Sequence, residues 1–380
     1  MTKVTDVIQE RTSLPISIYC VWQWWDRHYQ AAQGHPDEID FDWLDATFLG
    51  RQRQLHAWFG DLGIGQANPT LDTGFVATLL PYHTMIVPVI LGMKIPVQDV
   101  GGYQNIPLDE DQMAKLAPVD LAQSPVGELL LAEQAKRLRR YGCATQMIDL
   151  ASPANNAFSL RGMEFYLDLL ADPPLARHYL EVITETMVLA YRFVATHFGR
   201  LESVPLANCN VTMISPDVYM EMVRPHDIRF IENAAMSQGL QPRCDLHHCS
   251  VPTEPFVEAY RAIPGLRSLQ GSVLSDIRKI HAGLPGVDFS GMINPVDLIT
   301  RPQAEVLSGI DRALEAGVHD LALWDVDPSI TPGQLGEFLR GLSHMALRRG
   351  REARFSCIPI TWEELDWEFP RYHNSGRTPH

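Results

Sequence analysis

Apolar residues along this chain fall into two kinds of run, and glycine and proline separate them. Runs of strand length lie at 16–21, 85–91, 145–150, 204–213, 243–249, 266–270, 287–291 and 320–324. The other kind has helical spacing. Leu175, Tyr179, Ile183, Met187, Ala190, Val194 and Phe198 recur every three or four residues, with Pro173 and Pro174 at the start and Gly199 at the end. Ser215 and Pro216 open a further helix, which Gly239 stops. Thr331-Pro332-Gly333-Gln334 has the form of a capping box, in which the threonine oxygen accepts from the third helical amide and the glutamine reaches back; a helix to about residue 349 should follow.

Strand followed by helix, repeated about eight times without hairpin signals, predicts parallel strands joined by crossovers. Closed into a ring this is a (β/α)8 barrel, with chemistry at the C-terminal ends of the strands. An open doubly wound sheet would need a glycine-rich phosphate loop after an early strand, and the stretch from Gly60 to Gly65 lacks it. Residues 1–350 then form one α/β barrel domain, whose first hundred residues are an irregular entry layer. Residues 351–380 form a short C-terminal extension whose Trp362, Trp367 and Tyr372 suit packing or a dimer contact.

Composition narrows the function classes. Hydrophobic residues are 46% and charged residues 20%, as in a folded globular chain rather than a disordered one. With 31 basic against 46 acidic side chains the net charge is −15, which argues against a nucleic-acid or anionic-membrane surface. The first residues lack the apolar core of a signal peptide, and the longest apolar stretch, 85–93, is interrupted by Pro88. Six cysteines in 380 residues make no disulfide framework. A cytoplasmic protein with reduced thiols is expected, so a special cysteine would be a ligand or a nucleophile.

Arg243-Cys244-Asp245-Leu246-His247-His248-Cys249 concentrates the candidate chemistry. On a strand, Asp245, His247 and Cys249 share one face, and Cys244, Leu246 and His248 share the other. An imidazole and a thiol side by side at a strand's end suit zinc, which takes nitrogen and thiolate ligands. The competing reading makes them two half-buried residues holding a loop.

A longer series surrounds this stretch. It comprises Ala207-Asn208-Cys209-Asn210, Ser215-Pro216 followed by Tyr219 and Pro225-His226, the Leu246-His247-His248-Cys249 run, Asn294-Pro295, and Asp325 to Pro332. In order and spacing, from about residue 152 to 342, this series resembles the uroporphyrinogen decarboxylase superfamily. The resemblance implies a (β/α)8 barrel. The branch that decarboxylates porphyrinogens binds carboxylates with N-terminal arginines, and here that region has one arginine, Arg27, among Trp22, Trp24 and Trp25. The other branch contains methyltransferases that hold zinc through His-x-Cys and a distal cysteine and often exchange methyl groups with a corrinoid protein. The match carries over to His247 and Cys249. Where that branch has its distal cysteine this chain reads Leu323-Trp324-Asp325, so Asp325 is the expected third ligand, with Cys209 or Asp245 as substitutes, and Ser250 replaces the usual glycine after the cysteine.

The expected function is therefore a metal-assisted methyltransferase or demethylase of a small methylated compound. Its metal is zinc, held by His247, Cys249 and Asp325, and a corrinoid protein or small cofactor carries the methyl group. Asp245, His247, Asn208 and Asn210 are the candidates for catalysis. Trp22, Trp24, Tyr219 and His226 are the candidates for substrate binding, the tryptophans as an aromatic wall at the mouth. Pro225 is expected to kink its helix in the middle. Two alternatives remain: a metal-free lyase or decarboxylase using Asp245 and His247 as acid and base, and a corrinoid- or porphyrin-binding protein without turnover. A homodimer is expected.

Overall fold

The computed structural model describes residues 12–29, 41–71, 84–93, 106–142 and 149–358. Seven strands occur among them: β1 (Ser13–Cys20), β2 (Val204–Ala207), β3 (Cys244–His248), β4 (Leu266–Ser272), β5 (Asp288–Ile293), β6 (Leu321–Val326) and β7 (Glu352–Ile358). Between them lie helices, among them α1 (Trp22–His28), α2 (Phe41–Phe59), α3 (Pro125–Tyr141), α4 (Pro153–Arg161), α5 (Glu164–Ala171), α6 (Pro173–His197), α7 (Arg224–Met236), α8 (Gln303–Glu315) and α9 (Pro332–Arg348). The fold is α/β, and the chain divides into two compact units, each assembled from separated stretches.

One unit holds the described parts of Met1–Asp72, Gln270–Lys279 and Phe289–Glu364. In it β1 lies between β6 and β7, parallel to both, with Ile16 opposite Leu321 on one side and Phe355 on the other. β5 adds to β6 in parallel, with Gly291 opposite Leu321. Leu14, Ile16, Ile18 and Cys20 are all buried, as expected of a strand paired on both edges. The capping box of α9 is complete: Gln334 N donates to Thr331 Oγ1 at 3.2 Å, and Thr331 N donates to Gln334 Oε1 at 2.9 Å.

The other unit holds the described parts of Thr73–Leu269 and Ile280–Asp288. β2 and β3 run parallel from Val204 opposite Cys244 to Ala207 opposite His247. Helix α6 turns Tyr179, Ile183, Met187, Ala190 and Val194 inward, the stripe its spacing predicts, and packs on α7. Burying each large apolar side chain of that stripe contributes about 1.5–3 kcal/mol. Gly265 has φ +64°, and a Cβ there would strike the Pro242 carbonyl; its absence lets Cys244 N donate to Gly265 O at 2.8 Å.

Several expectations need correction. Residues 85–91 contain a helical turn, Ile86–Ile90, rather than a strand. The run is rich in β-branched residues, yet Pro88 sits in the first helical turn, where an amide hydrogen has no intrahelical partner in any case. The strand starting at Val204 ends at Ala207, and a 3₁₀ turn follows at Val211–Met213. Pro225 does stand inside a continuous helical run, 216–236, and the turn just ahead of it, Tyr219–Val223, is π-helical, so the run departs from α geometry where the proline removes a backbone bond. Residues 352–358, read as the beginning of an extension, are strand β7. The barrel is not seen as a closed ring among the described residues; what they show is an α/β fold with the parallel pairings above. Most of the expected strand at 145–150, and Trp362, Trp367 and Tyr372, lie outside the described residues. Among the described residues no helix is long and apolar enough to cross a membrane.

Candidate metal centre

The parallel register of β2 and β3 brings their C-terminal ends side by side. Ala207 lies opposite His247, and one residue later Asn208 N donates to His247 O at 2.8 Å. The next side chain on each path is a cysteine: Cys209 beyond β2, and Cys249 two residues past His247. The Cys209 and Cys249 sulfurs and a ring nitrogen of His247 all lie within 4.8 Å of one another. The three residues are half-buried. Ser250 Oγ donates to Cys209 O at 2.6 Å and ties the two loops together.

Without an ion the thiols interact with each other. The hydrogen bond with Cys249 pushes the Cys209 thiol pKa up, burial adds to that, and His247 works in the other direction. A cation among the three would replace these contacts and hold both sulfurs as thiolates. Tetrahedral zinc, with bonds of about 2.3 Å to sulfur and 2.0–2.1 Å to nitrogen, sets its ligand atoms ~3.5–3.8 Å apart. The ligand atoms of Cys209, His247 and Cys249, all within 4.8 Å of one another, are close enough for small side-chain shifts to reach that spacing, and two thiols with an imidazole are a donor set that could hold a metal.

The expected pair His247 and Cys249 is thus brought together, and Cys209, named as a substitute, is the third donor in the cluster. Asp325, the expected third ligand, belongs to the other unit, near the end of β6, where it is exposed and has φ +58°. Asp245 shares the strand face of His247, but its carboxylate is engaged. Ser203, Ser268 and both Nε and Nη2 of Arg267 donate to it. Burial raises its pKa, and these hydrogen bonds outweigh that and lower it. Asn210 takes part through its backbone: its N–H donates to Asn155 Oδ1 at 3.2 Å, and its carbonyl accepts from Tyr166 Oη at 3.2 Å.

Other candidates sit behind the donors or away from them. Asn208 and Tyr219 are fully buried. Asn208 Nδ2 and Tyr219 Oη both donate to Asp227 Oδ2, at 2.9 and 2.6 Å. His226 lies between α7 and α6, 3.5 Å from Thr184 Oγ1 and 3.9 Å from Glu181, and burial lowers its pKa to about 4. Trp24 is no wall of a mouth. It is fully buried, donates Nε1–H to Ile330 O at 2.7 Å, and packs against Trp25, His28 and Trp58. Trp22 opens α1, and its side chain lies outside what is described.

Sequence reasoning missed Asp227, a completely buried carboxyl whose pKa burial raises to about 7 against the hydrogen bonds from Tyr219 and Asn208. The signal was present. Tyr219, Val223, Asp227 and Ile231 recur every four residues, so an acid stands on the apolar face of a helical run.

No family model matches the chain, and no curated protein sequence matches it. Among solved structures the chain is similar to a methyltransferase from Methanosarcina mazei, with a TM-score of 0.55 and 16% identity over 87% of this chain and 93% of that one. That likeness shows a shared fold.

Proposed function

We propose that this protein is a zinc-dependent methyltransferase or demethylase of a small methylated compound, built on a (β/α)8 barrel, with a corrinoid protein or small cofactor as methyl carrier. The observation that carries the reading is the convergence of Cys209, His247 and Cys249 at the adjacent ends of β2 and β3. The shared fold with a methyltransferase supports it.

In this reading Cys209, His247 and Cys249 hold the metal, and Cys209 takes the place that the resemblance gave to Asp325. When bound, zinc in such a set would leave one position for the heteroatom that gives up or accepts the methyl group and would lower that group's pKa, making it a better leaving group when the carrier takes the methyl and a nucleophile at neutral pH in the reverse direction. The chain's own residues shape the place where that group enters. Asn208 and Ser250 fix the backbone on either side of Cys209. Tyr166, through the Asn210 carbonyl, holds the turn that follows. The donors are half-buried rather than sealed off, which suits a small substrate.

The test uses the zinc-loaded protein, free cob(I)alamin as acceptor, and a panel of methylated amines, thioethers and methoxyarenes. Formation of methylcobalamin with one donor class, lost in His247→Ala, supports the proposal. Turnover of a carboxylated substrate that survives chelation would instead favour the metal-free lyase.

A further inference from the structure

A second layer of polar side chains lies directly behind the three donors, and it is almost entirely buried. The neighbour of Cys209, Asn208, turns inward and donates to Asp227. The residue between His247 and Cys249, His248, also turns inward, and its Nδ1 is hydrogen-bonded to Tyr260 Oη. Tyr219 donates to Asp227 and packs edge-on against Tyr260 at 5.7 Å. Asn208, Asp227, His248, Tyr219 and Tyr260 are all fully buried.

This layer is expensive. Among the described residues Asp227 Oδ1, Asn208 Oδ1 and His248 Nε2 have no hydrogen-bond partner, and no cation faces the Asp227 carboxyl. Polar atoms buried in this way cost stability, and a layer made wholly of apolar side chains would avoid the cost. What the cost secures is the position of Asn208. Its side chain is clamped to Asp227, its backbone N–H is bonded to the His247 carbonyl, and its chain neighbour is Cys209. One residue therefore fixes two of the three donors relative to each other.

We propose that Asp227 and Asn208 are positioning residues for the metal centre, the Asp227 carboxyl holding Asn208 so that Cys209 and His247 are set at ligand spacing before a metal arrives. The inference rests on the proposed metal centre but not on methyl transfer. Partners outside the ligand set typically change metal affinity by about 10–100-fold.

The test measures zinc affinity of the full chain by chelator competition. It adds the sulfur-to-metal charge-transfer bands of the cobalt(II)-loaded protein and the melting temperature of the metal-free protein. Asp227→Leu should weaken zinc binding by about tenfold or more and diminish the charge-transfer bands. Asp227→Asn, whose amide oxygen still accepts from Tyr219 and Asn208, should stay within about threefold of wild type. Should Asp227→Leu not fold, Asn208→Ala carries the same expectation of a tenfold loss. Wild-type zinc affinity and unchanged cobalt bands in Asp227→Leu or Asn208→Ala, with only the melting temperature lowered, would overturn the proposal and make the layer purely structural. Failure of the wild-type chain to bind zinc at all would instead remove the metal centre itself.

Discussion

Asn208 N–H donates to the His247 carbonyl at 2.8 Å, one residue beyond the last register pair of β2 and β3. That bond extends the parallel ladder just far enough to keep Cys209 beside His247 and Cys249. The candidate chemistry is thus a direct product of strand register. A slip of one residue would turn His247 to the face now occupied by His248 and Leu246.

Asp227 makes a pH prediction. Its folded pKa is raised to about 7 by burial, above that of an unfolded aspartate. Its contribution to stability is therefore fully present below about pH 4 and lost as pH rises toward and through 7. The Asp227→Asn variant, measured metal-free, should melt higher than wild type at pH 8, and the difference should shrink toward pH 4. An equal shift at both pH values would contradict a buried, uncompensated carboxyl.

His226 acts with the opposite sign. Burial lowers its folded pKa to about 4, so its contribution is present above about pH 6.5 and is lost as pH falls toward 4. Replacing it with glutamine should flatten the acid side of the stability profile by up to about 1.4 kcal/mol per pH unit in that window. Denaturant unfolding at pH 4.5 and 7 measures the effect. Metal content at pH 7.5 should stay as in wild type, because His226 faces Thr184 and Glu181 rather than the donors.

Trp24 should prove structural. Trp24→Phe removes the donor to the buried Ile330 carbonyl and should cost about 1–3 kcal/mol in unfolding free energy, with zinc stoichiometry unchanged. A variant of wild-type stability with weakened substrate binding would restore the aromatic-wall reading.

Asp245 should also act through stability. Its carboxylate is held by Ser203, Ser268 and Arg267, and the Arg267 pair is half-exposed, so Asp245→Asn should cost about 1 kcal/mol. Methyl transfer should survive that change. Loss of turnover with intact stability would return Asp245 to the chemistry.

Much of this was legible in the chain. Alternation along 243–249 put His247 and Cys249 on one face and His248 on the other; β3 buries His248 and leaves His247 half-buried, and Cys249, just past its end, lies beside His247. The Thr331 box and the proline pair at 173–174 marked helix starts that α9 and α6 show. Local patterns failed where the environment decides. The β-branched run at 85–91 looks like a strand, but strand propensity reports packing against neighbours more than backbone preference. β7 carries the alternation of Ala353, Phe355 and Cys357 with Glu352, Arg354 and Ser356, a half-exposed strand pattern rather than a buried apolar run. Cys209 was visible as a residue, but its place beside His247 depends on which strands pair, and no local pattern states that.

The most direct test is the zinc content of the purified full chain, wild type beside Cys209→Ala, His247→Ala, Cys249→Ala and Asp325→Ala. The account predicts about one zinc per chain in wild type and in Asp325→Ala, and little in the other three. Absence of zinc from the wild type, or its loss in Asp325→Ala with full retention in Cys209→Ala, would contradict it.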